Sequence, residues 1–177
     1  LIMNHIPGFE LYPGRIKTIV LLIVFLSSCV LPISFIGLIT RSQLSTKIMS
    51  HIHDRAISYF FTAFSIFLGA QLLGRLPIPG LFRFLMIGSS IILILLIAIS
   101  LRWQISGHTA SFGGIVATLI ALSLKYGMDL LPGIIVMVIL SGVIGTILIY
   151  NEKNNPAQVY AGFIIGFLVM FSLIILI

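Results

Sequence analysis

The sequence predicts an all-α, polytopic membrane protein in which six transmembrane helices form one bundle. Apolar residues make up 59% of the 177 residues, charged residues only 8%, and the mean hydropathy is +1.24. Continuous apolar runs such as Ile91–Ile99 and Gly133–Leu140 differ from the alternating pattern of an outer-membrane barrel. Because a helix satisfies its own backbone polar groups inside lipid, we expect these runs to be helical.

The apolar stretches divide the chain into a short lead-in, residues 1–15, and one membrane domain, residues 16–177. Each stretch is close to the ~20 residues that a helix needs to cross ~30 Å of hydrocarbon. No small-residue cleavage site follows the first stretch, so we expect no cleaved signal peptide. The predicted spans are residues 16–39, 56–76, 81–101, 109–126, 130–150 and 157–177.

The net charge of +6 comes from ten Lys and Arg residues that are scattered over the joints between spans. Such cations typically anchor helix ends to lipid headgroups, and no basic stripe indicates a nucleic-acid partner. We therefore expect membrane lipids as partners and no nucleic acid. Cys29 is the single cysteine, which excludes an internal disulfide.

No metal or other cofactor is expected. The pair His51 and His53 lacks a Cys partner and carboxylates are sparse, although a metal-binding or substitute catalytic role for the pair stays open. No histidine lies in the middle of a span, where a haem or chlorophyll would pack.

Successive spans alternate in direction, so residues 41–55, 102–108 and 151–156 are predicted to share one side of the membrane. Three of the four histidines lie there. Basic residues divide equally between the two sides, and the positive-inside rule therefore gives no orientation.

Each of these three joints leads into the amino-terminal end of a predicted helix. Free backbone N–H groups and the helix dipole at such ends favour an anion. With Arg55, Arg102 and His108 beside them, the three helix starts predict a phosphate-sized pocket at the membrane surface. Glycines four apart, Gly162 and Gly166, predict close helix packing nearby.

Three of the polar segments described above resemble the signatures of a known protein family. Trp103–His108 followed by Gly113–Gly114 resembles the second signature of the type-2 phosphatidic acid phosphatase superfamily, and most closely a Bacteroidetes-type branch of small integral-membrane members. Asp54–Arg55 is similar to that branch's first signature. The stretch Asn154–Gly162, with Gly166 after it, follows the register of the third. The resemblance covers residues 16–177.

The resemblance implies a histidine phosphatase chemistry. In the family a third-signature His attacks phosphorus, a carboxylate orients it, and a second-signature His protonates the leaving alcohol. His108 would be that general acid. The resemblance also implies the inner (cytoplasmic) membrane, cytoplasmic termini and a site on the opposite face. The expected phosphate-binding residues are Arg55, Arg102, Ser106, Gly107 and Lys153.

The third signature departs from the family pattern. Asn154 stands at the nucleophile position, Gln158 at the carboxylate position and Leu148 where an Arg is expected. An amide cannot form the phospho-enzyme because its nitrogen lone pair is delocalised. No histidine follows His108, so no shift of register supplies a nucleophile. Lys153 would replace the missing Arg only as a point charge.

Three hypotheses follow from these residues. The first is a catalytically inactive relative of lipid-phosphate phosphatases that binds a lipid headgroup or serves as an accessory subunit beside other membrane proteins. The alternative is an active lipid-phosphate or isoprenoid-pyrophosphate phosphatase with unusual catalytic residues. A small transporter is the third, although no span carries a charge near its midpoint.

Overall fold

In the computed structural model, every regular element of the described residues is a helix. The structure describes residues 14–34, 51–78, 80–100, 102–103, 105–151 and 155–176, with the backbone alone for 51–56. The prediction of an all-α chain is confirmed.

Five helices of the described residues are long and apolar enough to cross a membrane; the exception is the helix His51–Leu73, whose apolar part is Ile57–Leu73. This is consistent with a multi-pass membrane protein, and the sixth span stays a prediction. Each predicted span coincides with a helix, although residues 35–39 of the first span and 1–13 of the lead-in lie outside the described residues. The helices are α1 Gly14–Ser34, α2 His51–Leu73, α3 Gly80–Ser100, α4 Gly107–Tyr126, α5 Leu131–Tyr150 and α6 Pro156–Leu176.

The chain divides into two compact units, Leu1–Leu101 and Arg102–Ile177. The first contains α1 to α3 and the second contains α4 to α6. In the first unit, α2 and α3 pack as an antiparallel hairpin and α1 lies against α2. Its core consists of Val20, Ile66, Ala70, Leu73 and Met86.

A π turn, Leu26–Val30, interrupts α1 directly before Pro32. Proline lacks an N–H group and its ring crowds the carbonyl four residues earlier, so a wider turn accommodates it. The N–H of Leu31 bonds the carbonyl of Leu26, five residues back. The carbonyl of Ser27 instead accepts a hydrogen bond of 2.9 Å from the buried hydroxyl of Ser65 in α2.

Replacing Ser65 with Ala is expected to lower the free energy of unfolding of the first unit by about 1 kcal/mol, because it removes this interhelical hydrogen bond and leaves a buried carbonyl unpaired. Denaturant unfolding in detergent micelles measures the change. Ser89→Ala is the control, since the Ser89 hydroxyl donates only to Leu85 within its own helix. Equal stabilities of the two variants would contradict the prediction.

In the second unit, α4 and α6 run parallel and lie in close contact. The start of α4 contacts the start of α6, and the end of α4 contacts the end of α6. The backbone N–H of Ser106 donates to the carbonyl of Gln158 near the starts, and the Lys125 ammonium donates to the carbonyl of Ile174 at 3.0 Å near the ends. Glycine makes this approach possible, because a Cβ on Gly113 would run into the carbonyl of Phe163. The predicted packing role of the glycines is confirmed.

The helix α5 runs in the opposite direction and lies on the outside of this pair, mainly against α4. It follows a turn at Gly127, whose φ of 63° is a left-handed conformation that favours glycine at a helix end. Of the residues of α5, only Gly145 is buried. Most of its apolar surface is therefore available to lipid.

Candidate functional site

The candidate site lies where α4 and α6 begin, because these two helix starts are side by side. The backbone N–H of Ser106 donates to the carbonyl of Gln158 at 3.5 Å. One turn further on, a Cβ on Gly162 would lie 2.5 Å from the Thr109 hydroxyl and 2.6 Å from the Ser106 carbonyl. The two amino-terminal ends therefore point the same way from one end of this unit.

Ser106 is the N-cap of α4. Its backbone is extended, with φ −76° and ψ 110°, and its side-chain oxygen accepts from the N–H of Thr109 at 3.5 Å. The Thr109 hydroxyl donates back to the Ser106 carbonyl at 3.0 Å, and both residues are buried. The N–H groups of Gly107 and His108 come next, and their position in the first turn gives them no carbonyl partner within the helix.

Gln158 stabilises the start of α6 in the reciprocal way, from the third helical position. Its side-chain oxygen accepts from the backbone N–H of Asn155 at 3.0 Å, three residues before it, and Pro156 takes the first helical position. This is the second half of a capping box, in which a glutamine satisfies the N–H of the N-cap residue. Sequence reasoning missed this role, although the spacing Asn155–Pro156–x–Gln158 is a recognisable helix-start pattern.

Replacing Gln158 with Ala is expected to lower the free energy of unfolding by about 1 kcal/mol, because the N–H of Asn155 loses its acceptor. Gln158→Glu is the matched variant: it keeps an acceptor and places a negative charge at a helix N-terminus, so its stability should equal or exceed that of the native chain. Thermal unfolding in detergent compares the three proteins. A loss of stability in the Glu variant as large as in the Ala variant would refute the capping role.

Among the described residues at this end, the exposed polar side chains include those of Arg102, His108 and Asn155. Arg102 lies in the approach to α4, and His108 is the second residue of that helix. Both side chains are exposed. A cation beside the N–H groups of a helix start favours an anion.

The structure does not test the other predicted site residues. Lys153 and Asn154 lie outside the described residues, and Arg55 belongs to α2 in the first unit, with no described side chain. The phosphate-sized pocket predicted beside Arg55, Arg102 and His108 therefore stays a prediction. The structure does bring Ser106 into contact with Gln158, and Gly107 and His108 follow Ser106 in the first turn of α4.

No metal site is found among the described residues, where no three His, Cys, Asp or Glu side chains group together. His51 and His53 have helical backbone at the start of α2, and their side chains lie outside the described residues.

No protein-family model, curated protein or solved structure matches this chain. The function is therefore argued from the geometry of the two helix starts and from the motif residues.

Proposed function

We propose that this chain is a multi-pass membrane protein that binds the phosphate headgroup of a membrane lipid where α4 and α6 begin, without hydrolysing it. The observation that carries the proposal is the parallel contact of these two helices, with the Ser106 N–H 3.5 Å from the Gln158 carbonyl. Parallel neighbours bring two positive dipole ends to one place.

The electrostatics of this end suit a phosphate. A helix N-terminus carries the equivalent of roughly +0.5 elementary charge, so two adjacent ones approach the charge of a single cation. The N–H groups of Gly107 and His108 supply donors, and the Arg102 side chain adds a full charge. Because α4 and α6 have the length and hydropathy of membrane spans, their ends would lie at the depth of the lipid headgroups.

Residue chemistry supports the proposed absence of turnover. Formation of a phospho-enzyme needs a nucleophilic lone pair such as that of an imidazole nitrogen, and the nitrogen lone pair of the Asn154 amide is delocalised. Gln158, at the position of the orienting carboxylate, uses its side-chain oxygen to cap α6.

The test is binding of the purified full chain to nanodiscs that contain phosphatidic acid, compared with nanodiscs that contain diacylglycerol of the same chains. We expect preference for the phosphate lipid and roughly fivefold weaker binding in Arg102→Ala, the value of one surface cation at a membrane. Arg75→Ala is the control, because Arg75 is also exposed but follows α2 in the first unit. Equal binding of both lipids would overturn the proposal.

One observation favours the alternative of a working phosphatase: His108 is exposed at the start of α4, where an imidazole can donate a proton to a leaving alcohol. The assay that separates the two functions is phosphate release from phosphatidic acid or undecaprenyl pyrophosphate by the native chain and by His108→Ala. We expect no release from either. Release that disappears in the variant would establish the alternative.

A further inference from the structure

A cavity of about 400 Å³ lies between α4, α5 and α6 in the second unit. It begins beside the first turns of α4 and α6 and follows α5 from Ile149 to Val138, a length of about 16 Å at the rise of an α-helix. Its walls include Val138, Gly142, Gly145, Ile149, Val159 and Phe163.

The hydroxyls that α5 contributes to the wall are engaged with their own helix. The hydroxyl of Ser141 donates to the carbonyl of Val138 at 2.7 Å, and that of Thr146 donates to Gly142 at 2.8 Å. No charged residue lines the cavity within the described part of the chain. Apart from the phenol of Tyr160, the walls therefore present mainly hydrocarbon and hydroxyls that already donate to a backbone carbonyl, a surface that suits an apolar ligand better than a sugar.

The cavity is a groove that opens along α5. A Cβ on Gly142 would meet no atom within 4 Å, and Gly145 is the only buried residue of this helix. Two glycines thus leave a strip without side chains on a helix that has the length and hydropathy of a membrane span. In a bilayer such a strip is filled by hydrocarbon, because an empty void forfeits dispersion contacts with its lining.

We infer that this groove binds one hydrocarbon chain of a phosphate-bearing membrane lipid. The assignment of the headgroup rests on the proposed function. Thr109, which directly follows His108, lines the same groove and joins it to the starts of α4 and α6. A lipid whose phosphate lies at those starts therefore has its chain aligned with the groove.

The volume favours a lipid chain over a helix from a second copy of this protein. A helix about 10 Å across and 16 Å long occupies more than roughly 1,000 Å³. The groove offers about 400 Å³, which is in the range of a single small ligand.

The experiment uses the full chain in nanodiscs with phosphatidic acid that carries a photoactivatable diazirine in the middle of one acyl chain. We expect the label at Gly142, Gly145 and Phe163 after irradiation, mapped by mass spectrometry of peptides. Gly142→Leu fills the groove without a clash and should lower this labelling roughly tenfold, since it displaces about two methylene contacts.

Gly133→Leu is the matched control, because it makes the same change on the same helix outside the groove. A Cβ there would lie 3.9 Å from the Leu119 side chain, an ordinary contact. Labelling of the groove should be unchanged in this variant.

A second arm uses diacylglycerol with the same diazirine chain. If both lipids label the groove equally, the groove binds a hydrocarbon chain but the assignment of a phosphate headgroup is overturned. The label could instead be spread evenly over the exposed residues Ile135, Ile139 and Val143 and be unaffected by Gly142→Leu. That result would overturn the proposal that the groove binds a lipid chain, even if phosphatidic acid still binds. A cross-linked dimer that Gly142→Leu abolishes would also overturn it, because a second copy would then be the occupant.

Discussion

Replacing Gly166 with Leu is expected to lower the free energy of unfolding by about 3 kcal/mol or more. Gly166 lies directly against the backbone of Ala110, and even a Cβ atom there would run into the Ala110 carbonyl. A backbone carbonyl cannot rotate away as the end of a side chain can, so α4 and α6 must separate. Overpacking of this kind is costly because protein interiors resist expansion.

The measurement is denaturant or thermal unfolding of the purified variant in detergent. Gly133→Leu is the control, since its new side chain would make an ordinary contact with Leu119. The parallel contact also carries the candidate site, so Gly166→Leu should weaken phosphatidic acid binding as well. If the two variants are equally stable, α4 and α6 do not approach as closely as described.

Gly69→Leu is expected to destabilise the first unit by about 2 kcal/mol. A Cβ at Gly69 would lie 2.7 Å from the Cβ of Ser27 in the π turn of α1 and 2.8 Å from the methyl group of Met86 in α3. The Met86 side chain is flexible and can move. Ser27 cannot, because its Cβ is fixed to the backbone of the π turn, so most of the penalty should come from the contact between α1 and α2.

The same unfolding measurement applies, with Gly14→Leu as the control because a Cβ on Gly14 would meet no atom within 4 Å. The double variant Gly69→Leu with Ser27→Ala removes the hydroxyl, whose oxygen would lie 2.5 Å from the new Cβ, but keeps the fixed Cβ. It should recover only part of the loss. Full recovery would show that the hydroxyl alone causes the clash.

The helices could be predicted closely from the sequence because hydrocarbon thickness fixes the length of an apolar stretch. The predicted span 130–150 became Leu131–Tyr150, and 81–101 became Gly80–Ser100. The largest difference at a helix start is in α2, which begins at His51 rather than at residue 56. Hydropathy excludes the polar residues His51–Arg55, but a helix can continue past the apolar core into the interface, where polar side chains are tolerated.

Other features depend on contacts between distant residues. The π turn of α1 has a local signal in Pro32, but its partner Ser65 lies 38 residues from Ser27. At the candidate site, the spacing of Asn155 and Gln158 is a local capping pattern and could have been found. The groove along α5 could not, because it arises from how Gly142 and Gly145 lie beside α6.

The most direct measurement of the central claim is a titration of the isotopically labelled chain with phosphatidic acid, followed by the NMR shifts of its backbone amides. Diacylglycerol of the same chains is the reference. Phosphate at the paired helix starts should shift the amides of Gly107, His108 and Ala157 with phosphatidic acid alone. Shifts confined to Lys125–Gly127, at the far end of α4, or identical shifts with both lipids would contradict it.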